Sequence, residues 1–305
     1  SLKDRASAVV VARALEEKRK VVAVASTGNA AGSLACLAAG TAAKAVIFVP
    51  KAAPPAKLAQ LLVYGARVVT VRGGYDDAFA LCLEACREYG WYNRSTGHNP
   101  YTREGKKTVA FELCEQLGWE VPDLVFVPVG DGNILSAVWK GLRELKLLGL
   151  IDRLPRLVAA QAEGSDSVAR AVVAGGPPRP CGAKTVADSI SVRLPKDGVA
   201  AVRAVNESEG FAVRVSDSEI LAAMRELARG ANVFAEPAAA AAFAALRKAA
   251  GIGRVRPHET AAVLVTGNGL KDAAAAFRAG GEPFCIEPRL PALRALVKKG
   301  ALRLD

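Results

Sequence analysis

Histidine, methionine and aromatic residues are scarce in this 305-residue chain, and these shortages narrow its possible functions. Only His98 and His258 could act as imidazole ligands, and Cys36, Cys82, Cys86, Cys114, Cys181 and Cys285 form no Cys-x-x-Cys pair, so no metal site is expected. Aromatics are 6% of the residues, and there is neither a basic run nor an interleaved aromatic platform. The excess of 41 Lys and Arg over 30 Asp and Glu, a net +11, is therefore read as scattered surface charge or attraction for a small anionic substrate, with no nucleic acid partner. A secretory signal is missing. The weakly apolar stretch from Val21 to Val49 is interrupted by Ser26-Thr27-Gly28-Asn29, Gly40 and Lys44, so no membrane span is expected. Dispersed thiols fit a reducing, cytoplasmic compartment, and Cys82 and Cys86, on one helical face among Ala and Leu, are expected to be buried. Met224 is the only methionine and the chain opens on Ser1, from which a missing upstream segment is expected.

What is present is a repeating alternation of helix and strand. A 51% hydrophobic content, rich in Ala, Val and Leu, suits helices packed closely on buried strands, and the length allows two α/β domains. Apolar periodicity predicts helices over 4–19, 29–39, 55–64 and 75–89, with strands over 21–25, 45–49 and 67–71, a wound parallel pattern. After the polar segment Asn93 to Arg103, a second unit follows. Its predicted helices cover 104–117 and 133–148, and its strands 124–128 and 157–161. The Gly/Pro-rich stretch 175–180 reads as a loop, and the chain to Val215 as irregular. Helices from about Ser218 and Pro237 and a strand over 261–266 complete the pattern.

Four strings carry chemistry. Lys3 precedes a helix, where positive potential and partial desolvation favour a neutral, nucleophilic amine, although a solvated lysine reads the same way alone. Ser26-Thr27-Gly28-Asn29 joins an apolar strand to an Ala-rich helix. Its hydroxyls and free amides suit a carboxylate, while an ordinary N-cap would account for Ser26 and Thr27 only. Pro128-Val129-Gly130-Asp131-Gly132-Asn133 makes a similar junction, with glycines that let amides wrap a phosphate. Asp131 fits there if its carboxylate turns away or caps the helix. Thr266, at the end of the late strand, places a neutral hydroxyl before Gly267-Asn268-Gly269-Leu270-Lys271-Asp272.

In this order the strings resemble the fold-type II pyridoxal-phosphate enzymes, and within them the threonine synthase family. Asn99-Pro100, Glu104-Gly105-Lys106-Lys107-Thr108 and Glu236-Pro237 extend the likeness through most of the chain. The resemblance implies a tryptophan synthase beta-like α/β fold of two wound domains, 1–93 and 94–305, with pyridoxal 5'-phosphate in the cleft between them. It implies that Lys3 carries the cofactor and shuttles protons, and that Gly130, Asp131, Gly132 and Asn133 hold its phosphate. Asn29 would meet its ring hydroxyl and Thr266 its pyridine nitrogen. Ser26, Thr27 and Asn29 would bind the substrate carboxylate. A hydroxyl at the pyridine nitrogen suits elimination and replacement over transamination. The implied reaction is O-phospho-L-homoserine plus water giving L-threonine and phosphate, in a homodimer.

Three positions depart from the family pattern: Ala30 replaces a hydroxyl, Gly97 a serine and Thr102 an arginine. The last two normally grip the substrate phosphate, and Arg94, His98 and Arg103 are candidate substitutes. A dehydratase of serine or threonine, a phosphoserine-using synthase and a truncated non-catalytic relative therefore stay open. A dehydrogenase is disfavoured, because Gly28-Asn29-Ala30-Ala31-Gly32 lacks the dinucleotide-binding glycine spacing.

Overall fold

The computed structural model describes residues 1–299. Helix α1 (Lys3–Glu16) leads into strand β1 (Val21–Ala25), α2 (Asn29–Ala39), β2 (Lys44–Pro50), α3 (Pro55–Val63), β3 (Arg67–Val71), α4 (Tyr75–Tyr89) and a two-residue strand β4 (Tyr92–Asn93). These strands form one parallel sheet in the order β3-β2-β1-β4. Next come α5 (Tyr101–Gln116), β5 (Leu124–Pro128), α6 (Asn133–Leu147), β6 (Arg156–Ala162) and α7 (Ser167–Ala174). They are followed by α8 (Gly198–Glu207), β7 (Phe211–Val215), α9 (Asp217–Ala231), α10 (Pro237–Gly251), β8 (Ala261–Val263), α11 (Ala273–Gly280) and α12 (Leu290–Lys298). The second parallel sheet runs β7-β6-β5-β8.

Each central strand is covered on both faces, which is why it reads as an unbroken apolar run. In β1, Val22 and Val24 pack with Val10, Leu34 and Ile47, while Ala23 and Ala25 pack on the opposite face with Phe48, Ala78 and Cys82. In β5, Leu124 and Phe126 face the Ala-rich α10 and Met224 of α9, whereas Val125 and Val127 face α6 through Leu135 and Leu142. The methyl side chains of Ala239 to Ala242 let α10 lie close on the sheet. Helix α1 lies against α2, where Ser7 Oγ and Ser33 Oγ are 2.5 Å apart, and against α5, where Arg5 Nη1 donates to Thr108 Oγ1 at 3.0 Å.

Some predicted elements need correction. The segment read as irregular holds α8 and β7, and β7 keeps the alternating burial of a strand with one covered face. The late strand stops at Val263, so Thr266 lies in the loop beyond it and not at the strand end. The helix expected from Glu104 starts three residues earlier, at Tyr101. Cys82 is buried as expected, while Cys86 is half-buried. Among the described residues no helix is long and apolar enough to cross a membrane.

Candidate active site

Lys3 opens α1 and is fixed through its backbone. The Leu2 amide donates to the Thr266 carbonyl at 2.9 Å, and Ser33 Oγ donates to the Lys3 carbonyl at 3.2 Å. The start of the chain is thereby docked beside the loop after β8. Lys3 and Thr266 share the wall of a small cavity of about 60 Å³ with Gly130, Gly132, Asn133 and Lys106. Burial, and then the positive charge of Arg94, lower the pKa of the Lys3 amine, with Glu236 and Asp131 opposing them. The result is an amine more readily neutral than a solvated lysine, as a nucleophile requires.

The loop before α6 owes its shape to its glycines. Gly132 has φ +85° and is the N-cap, leaving the first-turn amides of α6 without a side-chain cap. A Cβ on Gly130 would stand 2.9 Å from Ile190 Cα. Asp131 turns away from the helix end: its Oδ1 accepts the Lys196 amide at 3.1 Å, and its carbonyl accepts the Asp197 amide at 2.9 Å. The Asn133 side chain is already engaged, accepting from Lys106 Nζ and donating to Asp197.

A larger cavity of about 430 Å³ adjoins the first, and Ser189, Glu236 and Ala238 line both. Thr27 and Asn29 lie on its wall. Helix α2 also starts without a side-chain cap, because its N-cap is Gly28. Asn29 Nδ2 donates to both Glu236 carboxylate oxygens, at 2.8 and 3.1 Å, joining α2 to the start of α10. Glu236 in turn donates its amide to the Gly267 carbonyl at 3.0 Å, and a Cβ on Gly267 would come within 2.2 Å of the Glu236 carboxylate. Burial pushes the Glu236 carboxyl above its ordinary pKa, against Asn29 and Lys3. Across the larger cavity, Lys57 Nζ meets Asp188 Oδ2 at 2.7 Å.

The expected residues therefore divide. Lys3, Gly130, Asp131, Gly132, Asn133 and Thr266 converge on the small cavity, and Thr27 and Asn29 on the neighbouring one. Ser26 Oγ instead accepts the Gly28 amide at 3.2 Å, which shapes the turn. His98 is exposed, 5.5 Å from the Phe79 ring, and Arg103 pairs with Asp197 at 2.9 Å; neither lines either cavity. Arg94 is fully buried and lines neither cavity. Lys106 and Glu236 were not singled out from the sequence as ligands. The Glu-Gly-Lys-Lys-Thr and Glu-Pro strings marked their places, but a lysine in a helix and a glutamate before Pro read by default as solvent-facing and as a cap.

Burial of these charges has a pH consequence. Lys106 has its pKa well below the ordinary value, first through burial and then through Lys3 and Arg94. Between the lowered folded value and 10.5, the unfolded chain holds a proton that the folded one lacks, so stability rises with pH in that window. A cofactor-free Lys106→Met protein should show a flatter rise, measured by urea denaturation at several alkaline pH values. An unchanged slope would mean that Lys106 is protonated alike in both states.

Residues 1–267 match the model of the family described as "Pyridoxal-phosphate dependent enzyme". The chain is 38% identical over 307 residues to threonine synthase of Methanocaldococcus jannaschii, covering 98% of this chain and 74% of that protein. It is also 38% identical over 273 residues to threonine synthase of Mycobacterium tuberculosis, covering 89% and 74%. Among solved structures, the processed threonine deaminase isoform 2 of Solanum lycopersicum superposes with TM-score 0.78 over 92% of this chain and 78% of that one, at 21% identity. Maize serine racemase does so with TM-score 0.74 over 92% and 82%, at 24% identity. At those identities the two structures establish the shared fold alone, that of the fold-type II enzymes. With its family model spanning most of the chain and its curated relatives aligned along nearly all of it, this protein belongs to the pyridoxal-phosphate dependent enzyme family.

Proposed function

We propose that the chain is a threonine synthase, releasing phosphate from O-phospho-L-homoserine and adding water to give L-threonine. The observation that carries this reading is the placement of Lys3, with its lowered pKa, among the uncapped starts of α2 and α6 and the Thr266 loop. Relatives at 38% identity with the threonine synthase name support it. The donor set fits pyridoxal phosphate: a neutral-leaning amine, helix-start amides for a phosphate and a hydroxyl at Thr266. When bound, the cofactor supplies an electron sink that acidifies the substrate's α-carbon and, in turn, its β-carbon.

In this reading Lys3 holds the cofactor. Once the substrate's amine has displaced it, the Lys3 amine would take the protons from Cα and Cβ in turn; phosphate leaves from Cγ with its bonding electrons, one proton is then returned to Cγ, and hydroxide from water adds at Cβ while the other proton is returned to Cα. The α6 amides and the Gly130–Gly132 loop hold the cofactor phosphate. Asn29 faces the ring hydroxyl, and Thr266 the ring nitrogen. Thr27 and the α2 amides hold the substrate carboxylate. Glu236, locked to Asn29, keeps that asparagine oriented and supplies negative charge near Lys3. Residues 1–93 and 94–305 act as two units around this cleft.

A β-eliminating or β-replacing relative is favoured by one observation: Thr102 spends its hydroxyl on the Asn99 carbonyl at 2.8 Å, and Gly97 offers no side chain. The cofactor-loaded protein should therefore be assayed in parallel on O-phosphohomoserine, O-phosphoserine, serine and threonine. Equal yields of phosphate and threonine from the first support the proposal. Turnover confined to another substrate, or none despite bound cofactor, would sink it.

A further inference from the structure

Arg94 is the largest fully buried side chain among the described residues. It follows β4, with its amide held by the Ala23 carbonyl at 2.8 Å. Asp4, the acid whose charge reaches it, pairs with the terminal amine instead. Nη1 and Nη2 are buried without a hydrogen-bond partner among the described residues, and Nε alone is engaged, donating to Ser7 Oγ at 3.1 Å. An apolar side chain of similar volume would fill this place without leaving donors dry. What the guanidinium adds is therefore carried by the one bond that it makes and by its charge. Burial pulls its pKa down to about 10, against Asp4 and Tyr75, so it is still a cation at neutral pH.

That bond heads a line of donors that ends at Lys3. Nε can only donate, so Ser7 Oγ accepts from it, and the Ser7 hydrogen is left for Ser33 Oγ, 2.5 Å away on α2. Ser33 in turn donates towards the carbonyls of Lys3 and Ala30, each at 3.2 Å. Both serines are buried, so bulk water does not compete for their hydroxyls, and a charged donor at the head of such a line strengthens the bonds that follow. The line ties the end of β4 through α1 and α2 to the residue that opens α1, and so fixes where Lys3 enters its helix. Arg94 also acts on the amine itself: after burial, its charge is the main influence lowering the Lys3 pKa. Lys106 of α5 is the other cation facing that amine, while Glu236 before α10 and Asp131 before α6 oppose them.

We propose that Arg94 is a positioning residue for Lys3, acting through Ser7 and Ser33 on the lysine's backbone and through its charge on the lysine's amine. It lines neither cavity and touches no reacting atom. The relay is a property of the folded chain, whereas its value to catalysis rests on the reading that Lys3 holds the cofactor.

The test compares the unaltered chain with Arg94→Met, Ser7→Ala, Ser33→Ala and the double variant Arg94→Met/Ser33→Ala. In the cofactor-free proteins, Lys3 is acetylated with limiting acetic anhydride over a range of pH and quantified by mass spectrometry, with the exposed Lys20 as internal standard. The Lys3 midpoint should rise in Arg94→Met, because a neighbouring cation is gone, and hold in Ser7→Ala and Ser33→Ala, which leave every charge in place. The visible band formed on adding pyridoxal phosphate then gives cofactor affinity. Each single substitution should weaken it by about fivefold or more, and the double variant should lose less than the product of its two components, since both cut one relay. Arg94→Met should melt no lower than the unaltered protein, as its buried charge lacks a partner. An unmoved Lys3 midpoint in Arg94→Met, or losses that multiply in the double variant, overturns the proposal, as does a lowered melting temperature with cofactor affinity unchanged. If Arg94→Met fails to fold, Ser7→Ala decides, and unchanged cofactor affinity in it overturns the relay. Absence of a Lys3-dependent band in the unaltered protein would defeat the reading of Lys3 as the cofactor's lysine, and the acetylation midpoints would then decide for or against Arg94 by themselves.

Discussion

A Lys3→Ala protein is expected to lose turnover by roughly three orders of magnitude or more, because in the proposed mechanism one amine both holds the cofactor and moves protons. The loss should be chemical and not architectural. The position is held by backbone bonds, from Leu2 to Thr266 and from Ser33 to the Lys3 carbonyl, and alanine keeps both. Burial of the Lys3 amine disfavours its charged form, so removing it relieves a desolvation cost, and the melting temperature should stay level or rise. Absorption spectra provide a direct readout: the visible band of lysine-bound pyridoxal phosphate should be present in the unaltered protein and absent from the variant. Added methylamine should restore a fraction of the activity by replacing the missing amine. A retained band with turnover would show that another lysine holds the cofactor, and Lys106, in the same cavity, would be the first to examine.

Gly105→Val, at the single glycine of α5, should cause a large loss of stability. A Cβ at Gly105 would meet the Arg5 carbonyl oxygen at 2.1 Å and Ala6 Cα at 2.7 Å, so α1 and α5 touch backbone to backbone there. Neither atom belongs to a flexible side chain. The helices must therefore separate, at a cost of about 1–3 kcal/mol or more for a forced repacking. Because Lys3 begins α1 and Lys106 adjoins Gly105, the same displacement should impair catalysis even at temperatures where the protein stays folded. Gly230, exposed near the end of α9 with open space around it, is the contrast: Gly230→Ala should stabilise by about 0.5–1 kcal/mol. Urea midpoints and activity measured on both variants check the pair. Equal stability of Gly105→Val and the unaltered protein would mean that the α1–α5 crossing can loosen freely.

Much of the scaffold was legible because its central strands are buried on both faces. The runs Val21–Ala25 and Leu124–Pro128 match the buried strands β1 and β5 at both ends, and Arg67–Val71 matches β3, an edge strand that is largely exposed and was legible from its β-branched residues instead. Local pattern failed where pairing decided the outcome. Strand β8 is short because the chain leaves the sheet after Val263, and the Thr266 carbonyl then receives the Leu2 amide. Strand β7 and helix α8 were hidden behind a Gly- and Pro-rich approach that reads as loop. The backbone loops of the site were readable from glycine and hydroxyl residues at strand-to-helix junctions. The side-chain partners were not, because choosing between Lys106 and Lys107 requires the rotation of α5. That rotation sends Lys106 into the cavity and Lys107 to Glu104 and Glu144 at 2.7 Å.

The bond between Leu2 and Thr266 also bears on how the protein is made. It joins residues from nearly opposite ends of the described chain, and contacts of such long sequence separation close late in folding. The first sheet can assemble while the second is still unformed, with Lys3 held by Ser33 alone until the loop beyond β8 docks against Leu2. Under the proposed reading, cofactor capture by Lys3 would then require both sheets to be in place.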